Sequence, residues 1–208
     1  MEKPILFNTA MVKAILEGKK TCTRRIVKPH RQANIENMWI DMNDWESTVV
    51  YDDNHHIGEK GYIKIPYKVG DIIYVRETWL KADDKQYYYR ADETTVSKEA
   101  REDFGYKWKP SIHMPKEAAR IFLEVIAVHA ERLQDITEDG ARAEGCIDFY
   151  DKIGDGKFED VLEFDLTARD AFTDLWNSTV NKKDIDKYCW DANPWVWVIE
   201  FKVKEVKR

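Results

Sequence analysis

Cysteine is scarce in this chain. Cys22, Cys146 and Cys189 are odd in number, widely spaced and free of any Cys-x-x-Cys pair, which argues against a disulfide framework and a structural zinc site. Long apolar runs are missing too: none approaches the roughly 18 residues that span a bilayer, so no membrane partner is expected. The opening segment Met1 to Phe7 has too short an apolar run for a secretory signal, which makes the cytoplasm the expected compartment. No glycine-rich phosphate loop follows a strand pattern, leaving the common nucleotide folds without support. The pair His55-His56 has no matching ligand set, so neither a metal nor a cofactor is expected. Positive charge is in deficit as well, with 33 Lys and Arg against 39 Asp and Glu. A net charge of -6 argues against a general nucleic-acid coat, though it permits a local basic cleft.

What remains is globular. The 208 residues, 43% hydrophobic and 35% charged, suit a single domain over 1–208 that carries insertions and buries a real core. Eight tryptophans and ten tyrosines mainly supply core area, while their faces can also stack on bases. Residues 30–67 and the acidic stretch 149–163 lack a sustained period and read as peripheral insertions, the first with exposed-looking Trp39, Trp45 and Tyr51. Strand patterns fall on Ile72 to Trp79, Tyr87 to Arg90, Arg120 to Val128 and Pro194 to Val203. Glu93 to Gly105 reads as partly helical, Lys116 to Ala119 as a single turn, and Asn181 to Asn193 as a loop. Asp135 or Thr137 can cap a short helix that stops at Gly145, and Asp165 can cap another over Leu166 to Trp176. Long strands with few helices and no regular βαβ rhythm predict an α+β fold, its sheet mixed or antiparallel and curled into a barrel flanked by short helices.

The chemistry concentrates in Gly18-Lys19-Lys20-Thr21-Cys22-Thr23-Arg24-Arg25, where four cations surround two hydroxyls and a thiol. An acidic chain that gathers cations at one turn builds an anion site or tunes a nucleophile there. Asn8 to Glu17 reads as a short helix with Asn8 or Thr9 as cap, Met11, Ile15 and Leu16 near one face, and Gly18 as its left-handed stop. Thr21 to Val27 then alternates as a strand, so Thr21, Thr23 and Arg25 share one side while Cys22 and Arg24 share the other.

Several segments together resemble the ASCH domain family, in particular its phage and prophage branch. They are the Gly18 to Arg25 turn, Val69 to Trp79, Pro110 to Pro115, Glu131-Arg132-Leu133, Ala141 to Gly145 and Asn193 to Phe201. The resemblance implies a PUA-like β-barrel of a kind associated with RNA and modified bases. One bacterial group in this superfamily hydrolyses N4-acetylcytidine with a lysine, a threonine and a glutamate. Their motif offsets from a glycine correspond here to Lys20 and Thr23, and the glutamate three residues after an alanine corresponds to Glu144 after Ala141. The catalytic candidates are therefore Lys20, Thr23 and Glu144.

A threonine hydroxyl needs a neighbour to take its proton, and Lys20, when uncharged, can do so. Glu144 can shuttle a proton to the leaving amine or orient Lys20. Arg24 or Arg25 can hold an oxyanion or a phosphate, with alternation favouring Arg25 as the companion of Thr23. Glu77, Trp79, His113 and Met114 complete the substrate-binding candidates: Glu77 as a second carboxylate or an ion pair to Arg76 or Arg24, Trp79 and Met114 as walls around a base or core, His113 in a proline-bounded loop. Three functions compete. The first is hydrolysis of an N4-acylated cytidine or related nucleoside by a metal-independent amidohydrolase. The second is a non-catalytic module binding short RNA or a modified nucleotide, and the third a phage structural or regulatory protein that docks a protein partner.

Overall fold

A computed structural model describes residues 2–28, 35–40, 48–53, 60–146 and 167–207, with backbone alone at 35–40, 48–53 and 60–62. The side chains of Trp39 and Tyr51, together with Trp45, His55-His56, Asp165 and the 149–163 insertion, lie outside the described residues.

The chain opens with β1 (Glu2–Leu6) and α1 (Thr9–Leu16). Of the two possible caps Asn8 is used: its side chain accepts a hydrogen bond from the Met11 N–H at 2.8 Å. The buried face of α1 is Val12 and Ile15, one helical turn apart, while Leu16 is exposed. Gly18 ends the turn at φ 73°, a left-handed conformation that strains any residue with a Cβ. Next comes β2 (Cys22–Ile26), followed by β3 (Ile35–Ile40), β4 (Thr48–Asp53) and β5 (Lys60–Lys64). The last three pair antiparallel in sequence order, so the 30–67 insertion carries a small sheet of its own.

Strands β6 (Ile72–Arg76), β7 (Trp79–Lys81) and β8 (Tyr87–Tyr89) precede α2 (Thr95–Asp103), and β7 and β8 form an antiparallel hairpin. Single 3-10 turns follow at Ser111–His113 and Lys116–Ala118, before β9 (Ile121–Arg132) and α3 (Glu138–Ala143). The remainder is α4 (Ala168–Thr179), a 3-10 turn at Lys182–Asp184, α5 (Ile185–Tyr188) and β10 (Trp195–Val206). The stretch read as a loop over Asn181 to Asn193 thus contains helical turns, seeded by Asn181, whose side chain accepts from the Lys183 N–H.

The principal sheet has five strands in the order β1-β6-β9-β10-β2. It is mixed: β1 runs parallel to β6, whereas β6 with β9 and β10 with β2 are antiparallel. The fold is α+β, as its patterning predicted. In β10, Val196 through Ile199 are buried without alternation, the signature of a strand covered on both faces. By contact density the chain divides into two units, one of Met1–Thr21, Gly70–Val125 and Phe201–Arg208, the other of Cys22–Val69 and Ile126–Glu200. The first unit has an apolar cluster of Trp79, Met114, Ala118, Ala119 and Phe122. In the second, Leu133, Ile136, Ala141, Phe172, Trp176 and Val196 pack together with Cys146 and Ala168. No helix among the described residues is long and apolar enough to cross a membrane.

Two caps position the second unit's helices. Thr137 accepts from the Gly140 N–H at 3.0 Å and starts α3. Thr167, rather than Asp165, caps α4, because Thr167 and Asp170 satisfy each other's backbone N–H groups in a reciprocal box. Thr167→Ala leaves one of those donors without its partner, and urea denaturation is expected to show a loss of about 1 kcal/mol.

Candidate functional site

A guanidinium in the interior organises the second unit. Arg24 is only 6% exposed, and on β2 it directly follows two other buried residues, Cys22 at 4% and Thr23 at 0%. Its charge is met from two directions. Glu131, near the end of β9, accepts from Nε at 2.9 Å and lies 2.8 Å from Nη2. Glu144 accepts from Nη1 at 3.3 Å. Burial works against the Arg24 charge, but Glu144, Glu131 and Cys22 outweigh it and hold the guanidinium above its ordinary value. The group also lies 5.8 Å from the centre of the Phe172 ring.

Local backbone puts Glu144 in reach. It is the C-cap of α3, with its N–H bonded to Gly140 and Ala141 carbonyls, and Gly145 at φ 88° turns the chain away. A carboxylate at a helix C-terminus meets unfavourable dipole ends, and the Arg24 guanidinium offsets that here. Gly140 clears the approach. A Cβ there would stand 3.1 Å from Arg24 Nη2, 3.2 Å from Ile136 Cγ1 and 3.3 Å from Thr137 Oγ1. Cys22 shares the Arg24 side of β2: Arg24 Nη1 donates to its Sγ at 3.7 Å, and that thiol donates to the Gly140 carbonyl at 3.8 Å. His129 adds an outer contact, with Nε2 3.4 Å from Glu131 Oε2.

The opposite side of β2 pairs Thr23 with Arg25, as strand alternation predicts. Arg25 Nη1 donates to Thr23 Oγ1 at 2.9 Å and to the Arg24 carbonyl at 3.0 Å. Burial pushes the Arg25 guanidinium below its ordinary value, against the pull of Glu144 and Tyr67. A cation donating to a hydroxyl oxygen stabilises negative charge on that oxygen and leaves its proton free to be transferred.

The other sequence candidates fall in the first unit. Lys20 is 1% exposed and its Nζ lies 5.5 Å from the centre of the Phe7 ring. Glu77, also 1% exposed, pairs with neither Arg76 nor Arg24. Arg120 binds it through two bonds, Nε to Oε1 at 2.9 Å and Nη2 to Oε2 at 3.1 Å, and also pairs with Asp92. The reason is competition: Arg76 is spent on the Met114 and Ile112 carbonyls, and Arg24 on Glu131 and Glu144. Met114 and Trp79 belong to the apolar cluster, Met114 Sδ accepting from the Glu77 N–H at 3.1 Å and the Trp79 Nε1 buried without a hydrogen-bond partner. His113 is exposed on its 3-10 turn.

Sequence reasoning missed Arg120 and Glu131 as charge partners. The signal for Glu131 was a carboxylate at the end of a long apolar strand, two residues from His129 on the same strand. No group of three or more His, Cys, Asp or Glu is placed to hold a metal ion among the described residues. Comparison of the chain with protein-family models, curated proteins and solved structures found no match.

Two outcomes follow from the charge pairs. Arg24→Met removes the cation that Glu131 and Glu144 share, and chemical denaturation is expected to show a loss of about 3–5 kcal/mol. Burial raises the Glu77 carboxyl above its ordinary 4.5, with Arg120 opposing. A carboxyl raised on folding stabilises below its unfolded value and loses that contribution as pH rises through the folded one. The stability of the wild type relative to Glu77→Gln is therefore expected to fall as pH climbs above about 4.5; urea melts across pH check the sign.

Proposed function

We propose that the chain is an ASCH-type amidohydrolase on a PUA-like barrel that removes the N4-acyl group of an acylated cytidine or a related nucleoside, free or in a short RNA. The observation that carries the reading is the fully buried Thr23 hydroxyl accepting a hydrogen bond from the Arg25 guanidinium at 2.9 Å. Burial supports it further. Among the described residues the buried polar side chains are Lys20, Thr23, Arg24, Glu77 and Glu144, and the catalytic candidates account for three of the five. Buried polar groups are costly unless partnered, so a fold that keeps them invests in chemistry or in fixed geometry.

In the proposed reaction Thr23 Oγ1 attacks the acyl carbonyl carbon and gives up its proton to a general base, the role that the resemblance assigns to Lys20. Arg25, beside Thr23, stabilises the negative charge that develops on the carbonyl oxygen. The bond from the carbonyl carbon to N4 breaks, N4 receives a proton by way of Lys20 or Glu144, and cytidine leaves with the acyl group esterified to Thr23. Water then cleaves the ester, releasing the carboxylic acid and restoring the hydroxyl. Arg24 holds the Glu144 carboxylate in one orientation throughout.

Incubation with N4-acetylcytidine is expected to give cytidine and acetate, resolved by chromatography. Thr23→Ala should abolish the product while retaining the fold, and Arg25→Met should lower kcat by about 10²- to 10³-fold, the usual cost of one oxyanion donor. Binding of acylated cytidine without turnover would replace this reading with the non-catalytic module.

A further inference from the structure

The geometry points to a second binding site, made wholly by the first unit, that takes the planar ring of a nucleoside-sized heteroaromatic ligand. The β7–β8 hairpin, α2 with its following turn and the end of β10 line a half-open cavity of about 1010 Å³, with Tyr87, Tyr88, Tyr89, Phe104, Tyr106 and Trp108 in its wall. That volume lies at the top of the roughly 300–1,000 Å³ common for small-molecule sites. It holds more than one bare ring.

Of the charged side chains around the cavity, Asp84, Asp92, Glu93, Arg101 and Arg120 are held in hydrogen bonds or ion pairs and Lys207 Nζ lies 4.5 Å from the centre of the Phe122 ring, an arrangement that does not favour an ion-led ligand. Arg101 donates to Glu93 and Glu102 and to the Tyr106 carbonyl. Arg120 is held by Glu77 and Asp92. Asp84 accepts from the Tyr88 hydroxyl at 2.9 Å and the Gln86 N–H at 2.8 Å. Three of the rings are covered as well, with Arg120 4.0 Å from the Tyr89 centroid, Lys81 4.9 Å from that of Tyr87 and Arg101 5.6 Å from that of Trp108. The uncommitted faces belong to Phe104, 75% exposed, and Tyr88, 45% exposed. Phe104 and Tyr106 stand 6.2 Å apart at 34°, too close to admit a ring between them and suited to one stacked on their outer face. What the site offers is therefore aromatic surface with polar edges, the complement of a planar heteroaromatic ring.

Calorimetric titration with adenosine as the probe tests this, since the proposed catalytic chemistry is directed at cytidine. Saturable binding is expected. Adenosine monophosphate should bind within a few-fold of adenosine and with little salt dependence, and ribose 5-phosphate should not bind. Tyr88→Ala and Phe104→Ala, both at exposed positions, should each weaken binding by about 5- to 150-fold, the worth of one base–aromatic stack. Tyr88→Phe and Thr23→Ala should bind as the wild type does. A short oligoadenylate binding no tighter than adenosine assigns the ring to a free nucleoside; affinity rising with each added base assigns it to a strand. The proposal is overturned by absence of saturable adenosine binding, by affinity unchanged in both alanine variants, by loss of binding in Thr23→Ala, or by binding led by the phosphate.

Discussion

The second unit depends on one interaction, the accommodation of the Arg24 guanidinium between Glu131 and Glu144. Pairing β2 to β10 with Arg24 opposite Val198 commits three successive residues to the interior, one of them permanently charged. Such a group must find carboxylates, and the fold supplies one from the end of β9 and one from the C-terminus of α3. The other local features follow from bringing them there: glycine at position 140, the Thr137 cap, the left-handed turn at Gly145 and the face of Phe172. A buried ion pair adds little net stability, because desolvation consumes most of its Coulomb energy. Breaking it costs a great deal, so the pair specifies where the strand, the helix end and the carboxylate stand.

That specification divides the basic turn into two functions. The Cys22 and Arg24 side of β2 is filled by the thiol, the guanidinium, the Gly140 carbonyl and the Glu144 carboxylate. The Thr23 and Arg25 side joins a hydroxyl to a cation, the pair on which the proposed nucleophilic chemistry rests. Alternation along a strand makes the division possible, and a shift of one residue in register would exchange the two sides. In the first unit a second buried ion pair, Glu77 with Arg120, stands behind the aromatic hairpin, and the same Arg120 covers one face of Tyr89.

Patterns that are local in the chain were legible before the fold was known. Asn8 and Gly18 bounded α1, the β-branched and aromatic runs marked β6, β9 and β10, and alternation alone placed Arg25 with Thr23. Partners distant in sequence were not legible. Glu77 is 43 positions from Arg120 and Arg24 is 107 from Glu131, and no periodicity encodes a pairing decided by which cation is left uncommitted. The α4 cap was misplaced for a related reason: Asp165 and Thr167 are both good cap residues, and the reciprocal bond from Asp170 decides between them. The Tyr87 to Tyr89 strand was visible as a strand, but its role in an aromatic cavity depends on α2 folding beside it.

In the proposed reaction Thr23, beside Arg25, forms a covalent bond to the acyl group. This step is tested most directly by quenching the protein in acid during turnover of N4-acetylcytidine and mapping acetylation by mass spectrometry. Acetyl is expected on the peptide containing Thr23, appearing in step with the first equivalent of cytidine and lost as acetate forms. Cytidine released with no acetyl-protein at any time, or with the acetyl group on Cys22 or Lys20 instead, would contradict it.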